Sequence, residues 1–214
     1  MKERTGLRVI TLIVASVAAL TVTAWSTNRT RLAESKIRPK RQGDVVRQKK
    51  VVDEGIHYTD QPLEITELKI DGKEAKLSKG VTTDTEWLRG LSWKVKNVTD
   101  KNILAIDLFI VFPQTASNGG RLFVLSMKYG TDPKSLGRAD TSQPLRPKDT
   151  TTFVISDEIY GRFKPNLEKL VSISDINHLR IKTELVVFDD DTAWGGGQHM
   201  RRDPNNASVW VPVD

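Results

Sequence analysis

The sequence predicts an all-β sandwich over residues 62–214, carried behind an apolar leader. Three observations predict it. Short runs of alternating apolar and polar residues recur between turn signals, which is the pattern of half-buried strands. Almost no stretch holds a helical period, and no strand is followed by the long helix that a parallel α/β sheet requires. About seven strands with turns between them describe a sandwich, and the 153 residues from 62 onward can bury a core without disulfide staples.

The leader comes first. Residues 1–50 carry 12 Lys/Arg against 3 acids, residues 51–61 carry 3 acids and no Lys/Arg, and residues 62–214 balance at 21 of each. The net charge of +6 therefore belongs to the N-terminal arm, and the neutral remainder gives no footing for a nucleic-acid-binding domain. An apolar stretch from Val9 to Ala24, counted with its flanks from Leu7 to Trp25 as 19 residues with Arg8 snorkelling at one edge, is about 28 Å long as a helix and matches a bilayer core. Residues 1–25 thus read as a signal anchor or signal peptide that enters lipid through residues 7–25. Val22-Thr23-Ala24 offers a cleavage site, so secretion of a cleaved chain is the alternative. Basic residues after the span, from Arg29 to Arg41, outnumber those before it and favour a cytoplasmic domain, whereas the fold favours an uncleaved single-pass anchor with the domain outside. Residues 26–61 read as a basic, flexible linker because they hold few large apolar residues and no sustained period.

The strands follow in order. Leu63, Ile65, Leu68 and Ile70 alternate with a slip that predicts a bulge, and Asp71-Gly72 predicts a tight hairpin. Leu91, Trp93 and Val95 form one face of a strand, with Ser92, Lys94 and Lys96 on the other. Ile103–Phe112 is almost wholly apolar and reads as a central strand covered on both faces, stopped by Pro113. Strands at Arg121–Met127 and Thr150–Ile155 flank a Pro-, Gly- and Asp-rich loop at 131–149. Ile159, Phe163, Leu167 and Leu170 predict one or two helical turns interrupted by Pro165. A long strand carries Leu179, Ile181, Leu185 and Val187. A short piece at Thr192–Trp194, a glycine turn, a second turn at Asp203–Asn206 and a last strand near Val209–Val213 complete the chain.

Candidate sites are few. The absence of cysteine excludes thiolate metal sites, Fe–S clusters and Cys nucleophiles. Asp189, Asp190 and Asp191 are candidate Ca²⁺ ligands, since three adjacent carboxylates repel without a cation. Counted from Asp189, Trp194 and Met200 occupy the Gly and Glu positions of an EF-hand loop, so no EF-hand is written there. The other account of the triplet is an acidic hairpin tip facing Arg201 and Arg202. His57, His178 and His199 are scattered, no Gly-x-Ser-x-Gly elbow exists, and the Gly195–Gly197 run lacks the residues of a phosphate loop, so the chain reads as non-enzymatic and free of cofactors. Trp194, Arg201 and Arg202 are the candidate ligand-binding residues, with Trp194 and Trp210 capping one end of the sandwich and the arginines stacked on their rings. Asn28, Asn97 and Asn206 each begin a glycosylation-type triplet.

Two stretches carry a resemblance. Lys94–Ile103 with the apolar strand ending Phe112-Pro113, and Leu145-Arg-Pro-Lys-Asp149 before Thr150–Ile155, resemble immunoglobulin-like and fibronectin-like modules of exported bacterial proteins. Lys148 stands where those turns carry glycine. The tail from Val186 to Trp210, with Phe188-Asp189-Asp190, Trp194-Gly195-Gly196 and Arg201–Asn206, is similar to the end of an uncharacterised exported bacterial family. The resemblance implies an immunoglobulin-like sandwich at the cell envelope and transfers no catalytic residue. The expected function is a non-enzymatic module that binds a protein or polymer through an edge strand or the loops at 113–121, 128–149 and 189–208. A carbohydrate- or calcium-binding accessory module is the alternative.

Overall fold

The computed structural model describes residues 48–116, 121–131 and 143–213. The expectations placed on the leader, the first 22 residues of the linker, Asn28 and most of the 131–149 loop lie outside these residues. Among the described residues no helix is long and apolar enough to cross a membrane.

Twelve strands and one helix follow in chain order: β1 (Gln48–Glu54), β2 (Leu63–Ile70), β3 (Lys73–Ala75), β4 (Val81–Thr83), β5 (Ser92–Asn97), β6 (Ile103–Phe112), β7 (Phe123–Gly130), β8 (Thr150–Val154), α1 (Asp157–Glu168), β9 (His178–Phe188), β10 (Thr192–Gly195), β11 (Gln198–Asp203) and β12 (Asn206–Pro212). The small sheet has the order β3-β2-β5-β8. In the large sheet β9 is central. It pairs with β6 on one side, and β6 pairs with β7; its other side is shared by parallel β1 and antiparallel β10. From β10 the hairpin β11–β12 extends outward, and β4 flanks β1. The described residues are thus mostly β-sheet, in two sheets with one helix, consistent with an all-β fold.

One apolar cluster joins both sheets. Leu68, Ile70, Trp93, Val95 and Phe153 come from the small sheet; Ile106, Leu108, Ile110, Phe112, Ile181 and Val186 come from the large one. Trp93 stacks on Phe153 with centroids 5.7 Å apart. The bulge expected in the first hairpin sits between Ile65 and Glu67, and Asp71 (φ 53°) and Gly72 (φ 70°) make the left-handed turn. Pro147 and Lys148 form the turn into β8, closed by the Asp149 N–H donating 3.1 Å to the Arg146 carbonyl, with Lys148 held at φ 68°. That is the backbone region which makes glycine the usual occupant of such a turn.

Four expectations change. The linker does not extend to residue 61, because residues 48–54 form β1 and bury Val52 and Lys50 completely. Its composition hides it: only two residues of QKKVVDE are apolar. The Lys50 ammonium donates to the Ile176 carbonyl (2.8 Å), the Gln48 side chain (3.0 Å) and the Ser174 carbonyl (3.3 Å), filling its three donors, while burial holds its pKa below the ordinary lysine value. The central strand β6 is covered on one face only, since Ala105, Asp107, Phe109 and Val111 remain half-exposed on the other. Pro165 does not interrupt the helix. It leaves the Gly161 carbonyl without an in-helix donor, but Gly161 is exposed to water, and Tyr160, Phe163 and Leu167 hold the helix to the core. Finally, the glycine turn leads into β11, which the charged sequence QHMRRD concealed.

Asn97 locks the loop side of both sheets. Fully buried, it donates to the Lys101 (2.8 Å) and Leu145 (3.1 Å) carbonyls and accepts from the Thr99 N–H (3.0 Å) and hydroxyl (2.7 Å). Its amide nitrogen is committed, so the Asn97 triplet is closed to glycosylation in the folded chain. Asn97→Ala removes four hydrogen bonds and leaves a void, while the Leu145 and Lys101 carbonyls keep their remaining partners, the Ile103 N–H and the Thr99 hydroxyl. We expect it to cost about 2 kcal/mol in urea unfolding with the denaturant slope unchanged.

Candidate functional site

The structure separates the residues singled out from sequence. Asp189, Asp190 and Asp191 do not converge. The Asn102 side chain donates to Asp189 (2.7 Å); Lys101 reaches Asp190 at 2.7 Å, joined there by the Thr192 hydroxyl; Asp191 lies 3.6 Å from the Arg202 guanidinium. Burial pushes the Asp190 carboxyl up, yet Lys101 and Thr192 together bring it below its ordinary value. Each carboxylate thus has its own partner, so the repulsion that suggested a cation is relieved locally. Among the described residues no group of three or more His, Asp or Glu side chains is placed to hold a metal ion.

Trp194 is not an exposed stacking platform. It is 1% exposed, meets Tyr58 edge-on at 5.6 Å, and donates its indole N–H to Asp60 at 3.2 Å. Arg201 is exposed, whereas Arg202 lies over the Trp210 ring at 4.2 Å and donates to the Ala207 carbonyl. The expected stacking of arginine on indole therefore occurs for Arg202 and Trp210, which are cross-strand partners in β11 and β12.

The histidines join carboxylates instead of one another. His199 faces Asp60 at 3.2 Å and His178 faces Asp53 at 2.5 Å. Ser78 also donates to Asp53, so the carboxylate sits between hydroxyl and imidazole. In a hydrolase triad the imidazole must occupy that middle place to take the hydroxyl proton. The cluster instead ties β1 to β9 and to the loop before β4.

Two concave surfaces are candidate sites; the loops at 128–149 and 189–208 expected to bind supply only Lys128, Gly130, Thr131 and Ser208 of the first. The first is a cleft of about 320 Å³ between the outer face of the large sheet and β12, lined among others by Ala105, Asp107, Leu185, Val187, Ser208 and Trp210. The second is a groove of about 560 Å³ between β7 and α1, whose wall is Leu125, Met127, Ile159 and Phe163 and whose cations are Lys128 and Arg162. Among the described residues no carboxylate lines the groove, although Glu158 lies 3.8 Å from Arg162 along the helix. The signals were present as an alternation in β7 and a four-residue period in α1, but sequence alone did not place the two elements side by side.

Compared with protein-family models, curated proteins and solved structures, the chain matches none of them.

The Ser78 hydroxyl, with His178, holds the Asp53 carboxyl below its ordinary value of 3.8. A depressed carboxylate pKa adds stability that is present above the unfolded value and lost as pH falls through the folded one. The wild-type chain should therefore lose stability below about pH 4 more steeply than Asp53→Asn, a difference that thermal melts from pH 7 to pH 2 would register.

Proposed function

We propose that the chain is a membrane-associated, non-enzymatic interaction module with an immunoglobulin-like sandwich, and that it receives an extended protein segment along β7. The strand order supports the fold reading. With β2, β5 and β8 as strands A, B and E, and β6, β9 and β10 as C, F and G, the two sheets and their order match the immunoglobulin plan, and β7 takes the place of C′. The additional strands β1, β3, β4, β11 and β12 decorate that plan. The run from Leu7 to Trp25 supports a membrane anchor, and the sandwich reading, set against the basic residues that follow the span, is what favours the domain outside the cytoplasm.

The observation that carries the function is the edge of β7. This strand is eight residues long and among the described residues pairs only with β6. From Phe123 to Lys128 the side of β7 away from β6 pairs with no other strand among the described residues, so its backbone donors and acceptors and the groove beside it suit an added strand. Val124 (38% exposed) stands on the opposite face of the strand from Leu125 and Met127 and does not line the groove. With Lys128 and Arg162 at the groove, the partner segment carries apolar residues at alternate positions and acidic residues at its flank.

Two measurements test this reading. A ten-residue peptide alternating Val and Glu should bind the full-length protein saturably, slow hydrogen exchange of the β7 amides, and bind about tenfold more weakly to Arg162→Glu. Unchanged β7 exchange at saturating peptide would overturn the docking edge. In bacterial cells, protease added to spheroplasts should digest the domain of an otherwise membrane-retained chain; a protected domain would overturn the outward orientation.

A further inference from the structure

We propose that the cleft between the outer face of the large sheet and β12 binds an uncharged pyranose ring. This surface shares Lys128 with the β7–α1 groove but no other lining residue, and the proposal does not rest on that groove having a partner.

The cleft is built, and its parts come from three places in the fold. Its volume of about 320 Å³ falls in the range of small-ligand sites. Ala105, Leu185 and Val187 make an aliphatic floor. Val187 is only 1% exposed yet stands outside the contiguous core, so its burial arises on this face of the sheet. One wall is the Trp210 indole. Arg202 lies over that ring at 4.2 Å with a side chain only 10% exposed, and Arg202 does not itself line the cleft. The ring is therefore held in place before any ligand arrives, which reduces the ordering cost of binding.

The polar groups set the chemistry. Asp107 projects from the same face of β6, accepts the Ser126 hydroxyl at 2.7 Å, and lies 3.4 Å from the Lys128 ammonium. An ionised carboxylate has about four acceptor positions, so Asp107 retains capacity for hydroxyl donors of a ligand. Ser208 and Thr131 add hydroxyl groups at the margin. Charge excludes ions of either sign: Asp107 opposes an anion, and Lys128 with the cation behind the indole opposes a second cation. What fits is a neutral molecule with a flat C–H face for the indole and floor, and several hydroxyls on its edge for Asp107. A pyranose ring has that form. A neutral aromatic ring would fill the same volume but would desolvate Asp107 without offering it donors.

The test uses the full-length chain titrated with cellotriose and chitotriose, followed by saturation-transfer NMR, with N-acetyltryptophanamide as the aromatic comparator. At least one trisaccharide should saturate in the millimolar range or tighter, with transfer to its C–H protons. Trp210→Ala and Asp107→Ala should each weaken it about tenfold, while Arg162→Glu leaves it unchanged. Because Trp210 also packs against Arg202, thermal melts accompany each variant, and Asp107→Ala alone decides the matter if Trp210→Ala fails to fold. No saturation by either sugar up to about 20 mM, saturation by the aromatic compound only, or sugar binding indifferent to folded Asp107→Ala would overturn the proposal.

Discussion

The larger sheet hangs on the pairing capacity of one strand. A strand has two edges, and β9 uses all of one on β6 and divides the other between β1 at its start and β10 at its end. That division lets the chain attach an N-terminal strand in parallel and a C-terminal hairpin in antiparallel fashion without lengthening the sheet. It also requires a local change of phase. The register between β6 and β9 shifts at Asp107/Leu108, so Leu179 and Ile181 face the shared core while Leu185 and Val187 reach the outer cleft. A regular strand would alternate without interruption and place these four residues on one face. The cleft under β12 is a consequence of that shift.

Polar side chains in this protein mainly hold elements together. Lys50 fastens β1 to the turn before β9; Asn97 joins the loop after β5 to the approach of β8; Asp190 is clamped by Lys101, which also lies over the Phe188 ring. Glu86, Tyr160 and Lys164 do the same between α1 and the loop before β5, where burial and then Glu86 push the Tyr160 phenol up and keep it protonated. The hydrogen-bonding capacity of Lys50 and Asn97 is spent within the fold in this way. Asp107 differs because its partners come from one neighbouring strand and an open volume lies beside it.

Elements whose cause is local were legible in the sequence. The bulge after Ile65, the Asp71-Gly72 turn and the bounds of β6 follow from alternation and turn chemistry, which require no knowledge of distant residues. The elements that escaped depend on tertiary partners. Nothing in QKKVVDE announces a strand until the carbonyls of Ser174 and Ile176 are there to receive Lys50. Pro165 reads as a helix breaker until Phe163 and Leu167 are seen to bury against the core on either side of it. Of the two accounts of the acidic triplet, the tip facing arginine holds for Asp191 and Arg202, while Asn102 and Lys101, which hold Asp189 and Asp190, lie elsewhere in the chain and carry no local signal. Trp194 and Trp210 are alike in composition and opposite in use. Indole burial is decided by what covers the strand, here Tyr58 and Asp60 from a segment that reads as linker.

The edges of the two sheets are treated unequally, and the difference bears on function. An exposed strand edge invites pairing with other chains, so natural proteins shorten it, cover it or remove its donors. β3 and β4 are three residues each, and β12 ends with Pro212, which lacks an N–H. β8 is five residues and is followed after Ile155 by Ser156, which caps α1. β7 has none of these protections among the described residues: it is eight residues long, contains no proline, and carries Val124, Leu125 and Met127 in its centre with one lysine toward its end. Its neighbour α1 stands back far enough to leave a groove instead of sealing the edge, although the Phe112–Phe123–Phe163 ring contacts bring the helix to the start of the same strand. An edge that is anchored at one end and left open along its middle retains the hydrogen-bonding row and the side-chain pockets that an added strand requires.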